Sequence, residues 1–84
     1  MGKKIELFSG PQCNYCGQAK ELLDGMGVVY EEFDISNDQN RNEIIRRLPR
    51  TRSIPQIFVD DQHIGSFEDL QFLNNKGQLE EILM

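Results

Sequence analysis

The sequence predicts an α/β domain in which a four-stranded mixed sheet carries helices on both of its faces. Two observations lead to this prediction: the first half of the chain shows a strand–helix–strand pattern, and the second half shows two short strands joined by a tight turn. A strand–helix–strand unit has parallel strands and a right-handed crossover, whereas a tight turn joins antiparallel strands. With one helix before the hairpin and another after it, the expected order is β-α-β-α-β-β-α. Residues 1–84 are expected to form a single domain.

The first half of the chain is predicted to hold two strands around one helix. Residues 4–8 (KIELF) show an alternation typical of a strand. Residues 14–26 place apolar side chains at helical spacing, and Gly25 and Gly27 are expected to end this helix, because glycine is common at helix C-termini. Residues 28–34 (VVYEEFD) are predicted to form the second strand.

A second helix is predicted before the hairpin. Residues that can cap its N-terminus come first, and a proline, which cannot continue a helix, follows its last apolar position. The capping candidates are Ser36, Asn37 and Asp38. The side chains expected to face the core are Ile44, Ile45 and Leu48, and Pro49 ends the helix.

The last third of the chain is predicted to be a hairpin followed by a helix. Gln56–Val59 (QIFV) has the pattern of a short buried strand, Asp60 and Asp61 form a tight turn, and Gln62–Gly65 (QHIG) is the returning strand. Phe67–Asn75 is expected to be helical. The side chains expected to pack inward are Leu70, Phe72 and Leu73, and a final amphipathic turn carries Leu79, Ile82 and Leu83.

Charge and hydropathy limit the classes of protein to which the chain can belong. The net charge of −5 argues against nucleic acid as a general partner. No apolar run is long enough to span a membrane, and no apolar segment of a signal peptide follows the first lysines. We therefore expect a cytoplasmic protein with no membrane partner.

Arginine is crowded into one stretch of the chain. Arg41 and Arg46 are expected on a solvated helix face. Arg47, Arg50 and Arg52 come next to Pro49, just before Ile54, and are expected to meet an anionic ligand near the cysteines described next.

The two cysteines, Cys13 and Cys16, have C-x-x-C spacing between the first strand and the first helix. A helix N-terminus presents unpaired N–H groups and the positive end of the helix dipole, and both favour the reactive thiolate over the thiol. Within a strand–helix–strand pattern this spacing favours a redox couple. A pair of buried apolar residues and half of a zinc site are the alternatives. With His63 as the only histidine beside the two cysteines, a monomer falls short of the four ligands of structural zinc, so we expect no metal.

Three segments together resemble the dithiol glutaredoxins, over essentially the whole chain. They are Cys13-Asn14-Tyr15-Cys16, residues 53–59 (SIPQIFV), and His63-Ile64-Gly65 followed by Glu68-Asp69-Leu70. The resemblance implies a thioredoxin fold and a glutathione-dependent enzyme that reduces protein disulfides and glutathione mixed disulfides. It implies that Cys13 is the nucleophile and Cys16 the resolving thiol. Disulfide-containing or glutathionylated proteins are the implied partners, with ribonucleotide reductase as a narrower hypothesis.

The resemblance also implies a glutathione-binding surface around the cysteines. The expected binding residues are Tyr15, Arg52, Ile54, Pro55, Gly65, Ser66, Phe67, Glu68 and Asp69. The residues alone leave several alternatives open: Tyr15 as a surface aromatic, Pro55 as a trans strand-opening proline, and Ser66 or Asp69 as a helix cap. The resemblance favours a cis Pro55. We expect His63 to be a strand residue and not a general base.

The chain departs from the family pattern at four positions. Asn14 stands where the family has proline, and Gly10 stands where a lysine is common. Ser66 replaces a second glycine, which would strain the backbone if that position needs a positive φ, and Glu68 replaces an aspartate. Asp69 and backbone groups are therefore expected to hold the γ-glutamyl end of glutathione, with backbone N–H groups binding its carboxylate and an acidic side chain binding its ammonium group.

The second functional hypothesis is a carrier of a [2Fe-2S] cluster. In cluster-binding glutaredoxins two chains and two glutathiones share the cluster through the first cysteine, which would be Cys13 here. Proline in the second position of the C-x-x-C motif opposes this, and Asn14 removes that obstacle. The protein is expected to be a monomer, or a dimer when a cluster is bound.

Overall fold

The computed structural model describes residues 2–84 and contains one sheet with four helices. The strands are β1 (Ile5–Ser9), β2 (Glu31–Asp34), β3 (Gln56–Val59) and β4 (Gln62–Gly65). The helices are α1 (Asn14–Gly25), α2 (Asp38–Arg47), α3 (Phe67–Asn75) and α4 (Leu79–Leu83). Within residues 2–84 no helix is long and apolar enough to cross a membrane.

The sheet is mixed, as predicted, with the strand order β2-β1-β3-β4. β1 pairs with β2 in parallel, and the pairings of β1 with β3 and of β3 with β4 are antiparallel. Every residue of the two central strands, β1 and β3, is buried. The parallel pair comes from the strand–helix–strand unit and the antiparallel pair from the hairpin, so the two predicted halves join along β1 and β3.

Helices cover both faces of the sheet. On one face α1, α3 and α4 pack the larger core, whose buried residues are Ile5, Leu7, Ala19, Leu23, Ile57, Val59, Phe67, Leu70, Leu79 and Leu83. On the other face α2 covers a smaller cluster of Phe8, Ile44 and Phe58. Side chains of β1 alternate between the two clusters, as the period of two in a strand requires.

Two strand boundaries differ from the prediction. β1 covers Ile5–Ser9 instead of residues 4–8, because its parallel ladder with β2 continues to Ser9 opposite Asp34. β2 begins at Glu31 opposite Glu6, so the prediction that residues 28–30 belong to the strand is wrong. Residues 28–30 have strand propensity but lie before the ladder, and the Val29 side chain is 87% exposed.

The helix ends follow the capping residues. Asn37 is the N-cap of α2, with its side-chain oxygen accepting a hydrogen bond from the Asn40 backbone N–H at 3.1 Å. Gly25 is the last residue of α1, and Gly27 has a φ of +72°, the left-handed conformation that glycine adopts at low cost. The Asp60-Asp61 turn has φ values of +49° and +69°, the geometry of a tight hairpin turn.

Two predicted core residues lie on the surface. Ile45 is 48% exposed and Phe72 is 57% exposed, whereas Ile44 and Leu70 are buried. Each helical residue is turned by about 100° from the one before it. With Ile44 facing the sheet, Ile45 turns away from it, and Phe72 is about 200° from the buried Leu70.

An ion pair of Arg47 connects α2 to strand β1 of the sheet. Arg47 donates hydrogen bonds to both carboxylate oxygens of Glu6 at 2.9 and 3.2 Å, and to Glu43 at 2.6 Å. Its guanidinium carbon lies 5.4 Å from the ring centre of Phe8 and 4.8 Å from that of Phe58. The Glu6 side chain is buried, and Arg47 provides the opposite charge that a buried carboxylate needs.

We predict that Leu70→Ala destabilises the fold far more than Phe72→Ala, two positions along the same helix. Leu70 is fully buried, so its truncation leaves a cavity that costs about 2–5 kcal/mol. The exposed Phe72 contributes its contact with Lys76, whose loss costs less than about 1 kcal/mol. Chemical denaturation of the two variants measures both effects, and equal losses would contradict the assignment of Phe72 to the surface.

We predict that an ion-pair cluster on α2 makes stability depend on pH. Hydrogen bonds from Arg46 and then Arg47 lower the pKa of Glu43 from its ordinary 4.5 to about 2. A lowered folded-state pKa stabilises the protein above the unfolded value, and this contribution disappears as the pH falls from 4.5 toward 2. The free energies of unfolding of the parent and Glu43→Gln should therefore differ at neutral pH and converge near pH 2.

The control for this pH prediction is Glu21→Gln, because Glu21 makes no ion pair among residues 2–84. Its stability difference from the parent should show no such convergence. A gap between the parent and Glu43→Gln that stays constant down to pH 2 would contradict the proposed stabilisation.

Candidate active site at the Cys13–Cys16 pair

The two cysteines form a disulfide at the start of α1. Cys13 is the N-cap of the helix and Cys16 lies in its first turn, with 5.3 Å between the two Cα atoms. The backbone N–H of Cys16 donates to the sulfur of Cys13 at 3.1 Å. Such an N–H group would also stabilise the thiolate that reduction releases at Cys13.

The cysteines differ in accessibility. Cys16, in the first turn of α1, is 1% exposed, whereas Cys13 at the helix N-terminus is partly exposed. A disulfide opens when a thiolate attacks one of its sulfurs, and access decides which sulfur is attacked. An incoming thiol therefore reaches Cys13 more readily than Cys16.

The loop before the nucleophile is held close to the segment that precedes β3. A Cβ atom on Gly10 would lie 2.7 Å from Cδ1 of Ile54, so the glycine permits a close approach. Gln12 has a φ of +56°, an uncommon conformation for a residue with a side chain, and it turns the chain into the helix start at Cys13.

The Ile54–Pro55 peptide bond is cis, as the resemblance implied. Pro55 is buried, and the carbonyl oxygen of Ile54 lies 3.9 Å from the Cys13 sulfur. A sulfur in a disulfide has no proton to donate, so this is a contact and not a hydrogen bond in the oxidised protein. The backbone of Ile54 therefore forms one wall beside the partly exposed Cys13.

A pocket of about 260 Å³ opens next to this wall. Its lining residues are Tyr15, Ser53, Ile54, Pro55, Ser66, Phe67 and Glu68. The Tyr15 ring stacks on that of Phe67, with 6.0 Å between their centres and 26° between their planes. The structure thus brings together six of the nine predicted binding residues.

The start of α3 forms the far side of the pocket. Ser66 is the N-cap, and its backbone N–H donates to the Asp69 carboxylate at 2.8 Å. Gly65 has a φ of +137°, and a Cβ atom there would overlap the Asp69 side chain. Gly65 and Asp69 thus shape the helix end from behind, and Glu68 is the acidic side chain that lines the pocket.

The departure at Ser66 does not strain the backbone. Its φ of −91° and ψ of −172° are extended values that any residue adopts. The position therefore needs no positive φ, and the strain considered for a serine there is absent.

The arginines before β3 differ in whether they are free to bind an anionic ligand. Arg47, expected near an anionic ligand, is bound to Glu6 and Glu43 on the sheet face beneath α2, so that prediction is wrong. Arg50 and Arg52 are exposed, and neither makes an ion pair with the described residues. Arg52 lies outside the pocket lining, two residues before Ile54.

Sequence reasoning missed Ser53 as a pocket residue. The structure places Ser53 in the lining beside Ile54 and Tyr15. The available signal was its position two residues before Pro55, inside the segment that carries the family resemblance. Across residues 2–84 no three His, Cys, Asp or Glu side chains are grouped so that they could hold a metal ion.

Comparisons with known proteins agree on one family. The family model described as Glutaredoxin matches residues 5–64. Glutaredoxin 3 of Escherichia coli (strain K12) is 42% identical over 80 residues, which cover 94% of this chain and 95% of that protein.

Solved structures show the same fold. The solution structure of glutaredoxin from Brucella melitensis has a TM-score of 0.79 at 33% identity and covers 95% of this chain and 87% of that one. A buckwheat glutaredoxin–glutathione complex has a TM-score of 0.83 at 24% identity and covers 96% of this chain and 76% of that one. The four-stranded sheet with its helices is therefore the thioredoxin fold that the sequence predicted.

We predict that the reduced protein is alkylated at Cys13 much faster than at Cys16. The partly exposed Cys13 is open to a reagent, whereas Cys16 is 1% exposed. Brief treatment with iodoacetamide followed by peptide mass spectrometry measures the site, and Cys13→Ser should take up the label slowly. Preferential labelling of Cys16 would contradict the assigned roles.

Proposed function

The chain belongs to the glutaredoxin family and is a thiol–disulfide oxidoreductase, and we propose that it takes its electrons from glutathione. The observation that carries the proposal is the pocket of about 260 Å³ that is lined by Ile54, whose carbonyl oxygen lies 3.9 Å from the sulfur of the partly exposed Cys13. Its walls are the Ile54 backbone and the N-terminus of α3, which together can hold a short extended peptide by its backbone and one end. The buckwheat relative is described as a complex with glutathione.

The charges around the pocket suit a small peptide with carboxylates and an ammonium group. The free N–H groups at the start of α3 favour a carboxylate. The Glu68 side chain lines the same wall and can pair with the ammonium group, with Asp69 behind it. Arg52 lies two residues before Ile54 in the chain, is exposed and makes no ion pair with the described residues, so it is available as a cation for the second carboxylate.

The proposed reaction consists of thiol–disulfide exchanges. The Cys13 thiolate attacks a glutathione mixed disulfide, the substrate thiol leaves, and Cys13 carries the glutathionyl group. A glutathione thiolate then attacks that group, releasing oxidised glutathione and the Cys13 thiolate. With a protein disulfide, Cys16 attacks the mixed disulfide at Cys13 and releases the reduced substrate. Two glutathione molecules then reduce the Cys13–Cys16 disulfide.

The proposed partners are disulfide-containing or glutathionylated proteins in a reducing compartment, the cytoplasm. There the glutathione pool keeps such a couple cycling. Ribonucleotide reductase is a narrower candidate that rests on family and size alone. Failure of the reduced protein to sustain turnover of its own cell's reductase would remove it.

A glutathione-ligated [2Fe-2S] cluster is the second candidate, and Asn14 is the feature that favours it. Such a cluster is held by four thiolates, and one chain offers the accessible thiol of Cys13. The residues of a single chain therefore do not fit a cluster, and two chains with two external thiols would be required. Anaerobic reconstitution tests this: a colourless, monomeric product would reject cluster binding, whereas visible absorbance in a dimer would support it.

We predict that substitution of each cysteine affects the reduction of glutathione mixed disulfides and of protein disulfides differently. Cys13→Ser should abolish glutathione-coupled reduction of a small glutathione mixed disulfide, because Cys13 is the accessible sulfur. Cys16→Ser should retain most of this activity and lose reduction of a protein disulfide, which needs the second thiol. Steady-state rates of oxidised glutathione formation measure both reactions. An inactive parent protein would reject glutathione as the reductant, and an active Cys13→Ser would reject Cys13 as the nucleophile.

A further inference from the structure

A chain of hydrogen bonds connects the exposed His63 on β4 to the wall of the pocket. His63 Nε2 lies 2.7 Å from Gln56 Oε1 on the neighbouring strand β3. Gln56 Nε2 donates to the carbonyl oxygen of Ser53 at 3.1 Å and to its Oγ at 3.2 Å. Ser53 lines the pocket, and Gln56 is 3% exposed. We call this chain the His63–Gln56–Ser53 relay.

The chemistry of the acceptor fixes the direction of the relay. A backbone carbonyl can only accept a hydrogen bond, so the Gln56 atom next to Ser53 must be the amide nitrogen. The Gln56 oxygen therefore faces His63, and His63 must carry a proton on Nε2. Both the Nε2-protonated neutral ring and the imidazolium carry that proton. The relay therefore needs no change of charge on His63, although Arg46, Arg47 and Asp61 share its surroundings.

Burial makes the amide of Gln56 depend on its partners. A buried polar group without a hydrogen-bond partner is costly, and no buried side-chain nitrogen or oxygen in residues 2–84 lacks one. Removing the His63 ring would leave the Gln56 oxygen unpaired. The amide would then regain freedom to turn, and Ser53 would lose its fixed donor.

We propose that His63 and Gln56 are positioning residues that hold Ser53 and the adjoining Ile54 at the pocket wall before a ligand binds. Gln56 fixes both the backbone carbonyl and the hydroxyl oxygen of Ser53. Since that hydroxyl oxygen already accepts from Gln56, its own proton is free to be donated to a ligand carboxylate or carbonyl. Ile54 follows in the chain, and its carbonyl lies 3.9 Å from the Cys13 sulfur. The proposal rests on glutathione as the ligand of this pocket.

The kinetic test compares four variants on the mixed disulfide of glutathione and β-mercaptoethanol. His63→Leu removes the donor, His63→Gln restores an amide donor, and Gln56→Met removes the central link. The exposed neighbour Gln62→Leu is the matched control, since its side chain makes no hydrogen bond within residues 2–84. The expected result for His63→Leu is a KM raised roughly fivefold, the factor for one hydrogen bond of ordinary net strength, with kcat little changed.

His63→Gln should recover a parent-like KM. Because the residues act as one chain, adding His63→Leu to Gln56→Met should raise KM no further. A parent-like KM for His63→Leu, an equal effect of Gln62→Leu, or full additivity in the double variant would each overturn the proposal.

A ligand-free measurement separates this proposal from the proposed function. In nuclear magnetic resonance spectra, His63→Leu should shift the backbone amide signals of Ser53 and Ile54, and His63→Gln should return them toward the parent positions. Unchanged signals would overturn the relay whatever the activity. If the parent protein shows no glutathione-dependent activity, the proposed function fails, and a positioning role for that ligand fails with it even where the signals shift.

Discussion

The antiparallel register of β1 and β3 determines which segments of the chain meet at the cysteines. Phe8 near the end of β1 lies opposite Gln56, the first residue of β3. The segment leaving β1 toward Cys13 and the segment that carries Pro55 therefore meet at the same edge of the sheet. A slip of one residue would turn every side chain of β3 to the opposite face. Gln56 would then enter the larger apolar core, and the relay to Ser53 would be lost.

The two faces of the sheet maintain this register by different means. The face under α1 and α3 is apolar, and burial of its aliphatic side chains supplies most of its stability. The face under α2 combines aromatic rings with charge, because Arg47 stacks over Phe8 and Phe58 while it pairs with Glu6. A buried ion pair adds little net stability, but an unpaired charge there is costly. The pair therefore favours the one placement of α2 in which Arg47 reaches β1.

The sequence predicted the elements whose ends are marked by local chemistry. The last two strands and the helix after them have the predicted bounds, because a proline, an Asp-Asp turn and a capping serine delimit them. These elements are Gln56–Val59, Gln62–Gly65 and Phe67–Asn75. The errors in strand bounds and in helix orientation arose where contacts with residues distant in sequence determine the structure. Residues 28–30 resemble a strand but lie before the ladder with β1, and the helical spacing around Ile45 fits more than one facing direction.

The same distinction applies to the candidate site. The cysteines and the cis proline could be predicted, because short motifs carry them. The ion pair between Arg47 and Glu6 could not be predicted, because the two residues are 41 positions apart and only the fold brings them together. Likewise Asp69 and Glu68 are neighbours in the same motif, and only the helix phase places one behind Ser66 and the other in the lining.

Gly10, which stands where the family often has lysine, leaves the cations near the pocket to be supplied by other residues. A Cβ atom at this position would lie 2.7 Å from Cδ1 of Ile54, which is closer than van der Waals contact allows. A side chain at this position would therefore require the end of the Ile54 side chain to shift. With Arg47 bound on the other face of the sheet, the arginines that precede the pocket residue Ser53 and make no ion pair with the described residues are Arg50 and Arg52. The contacts that hold Ser53 therefore also anchor the chain segment that carries these two cations.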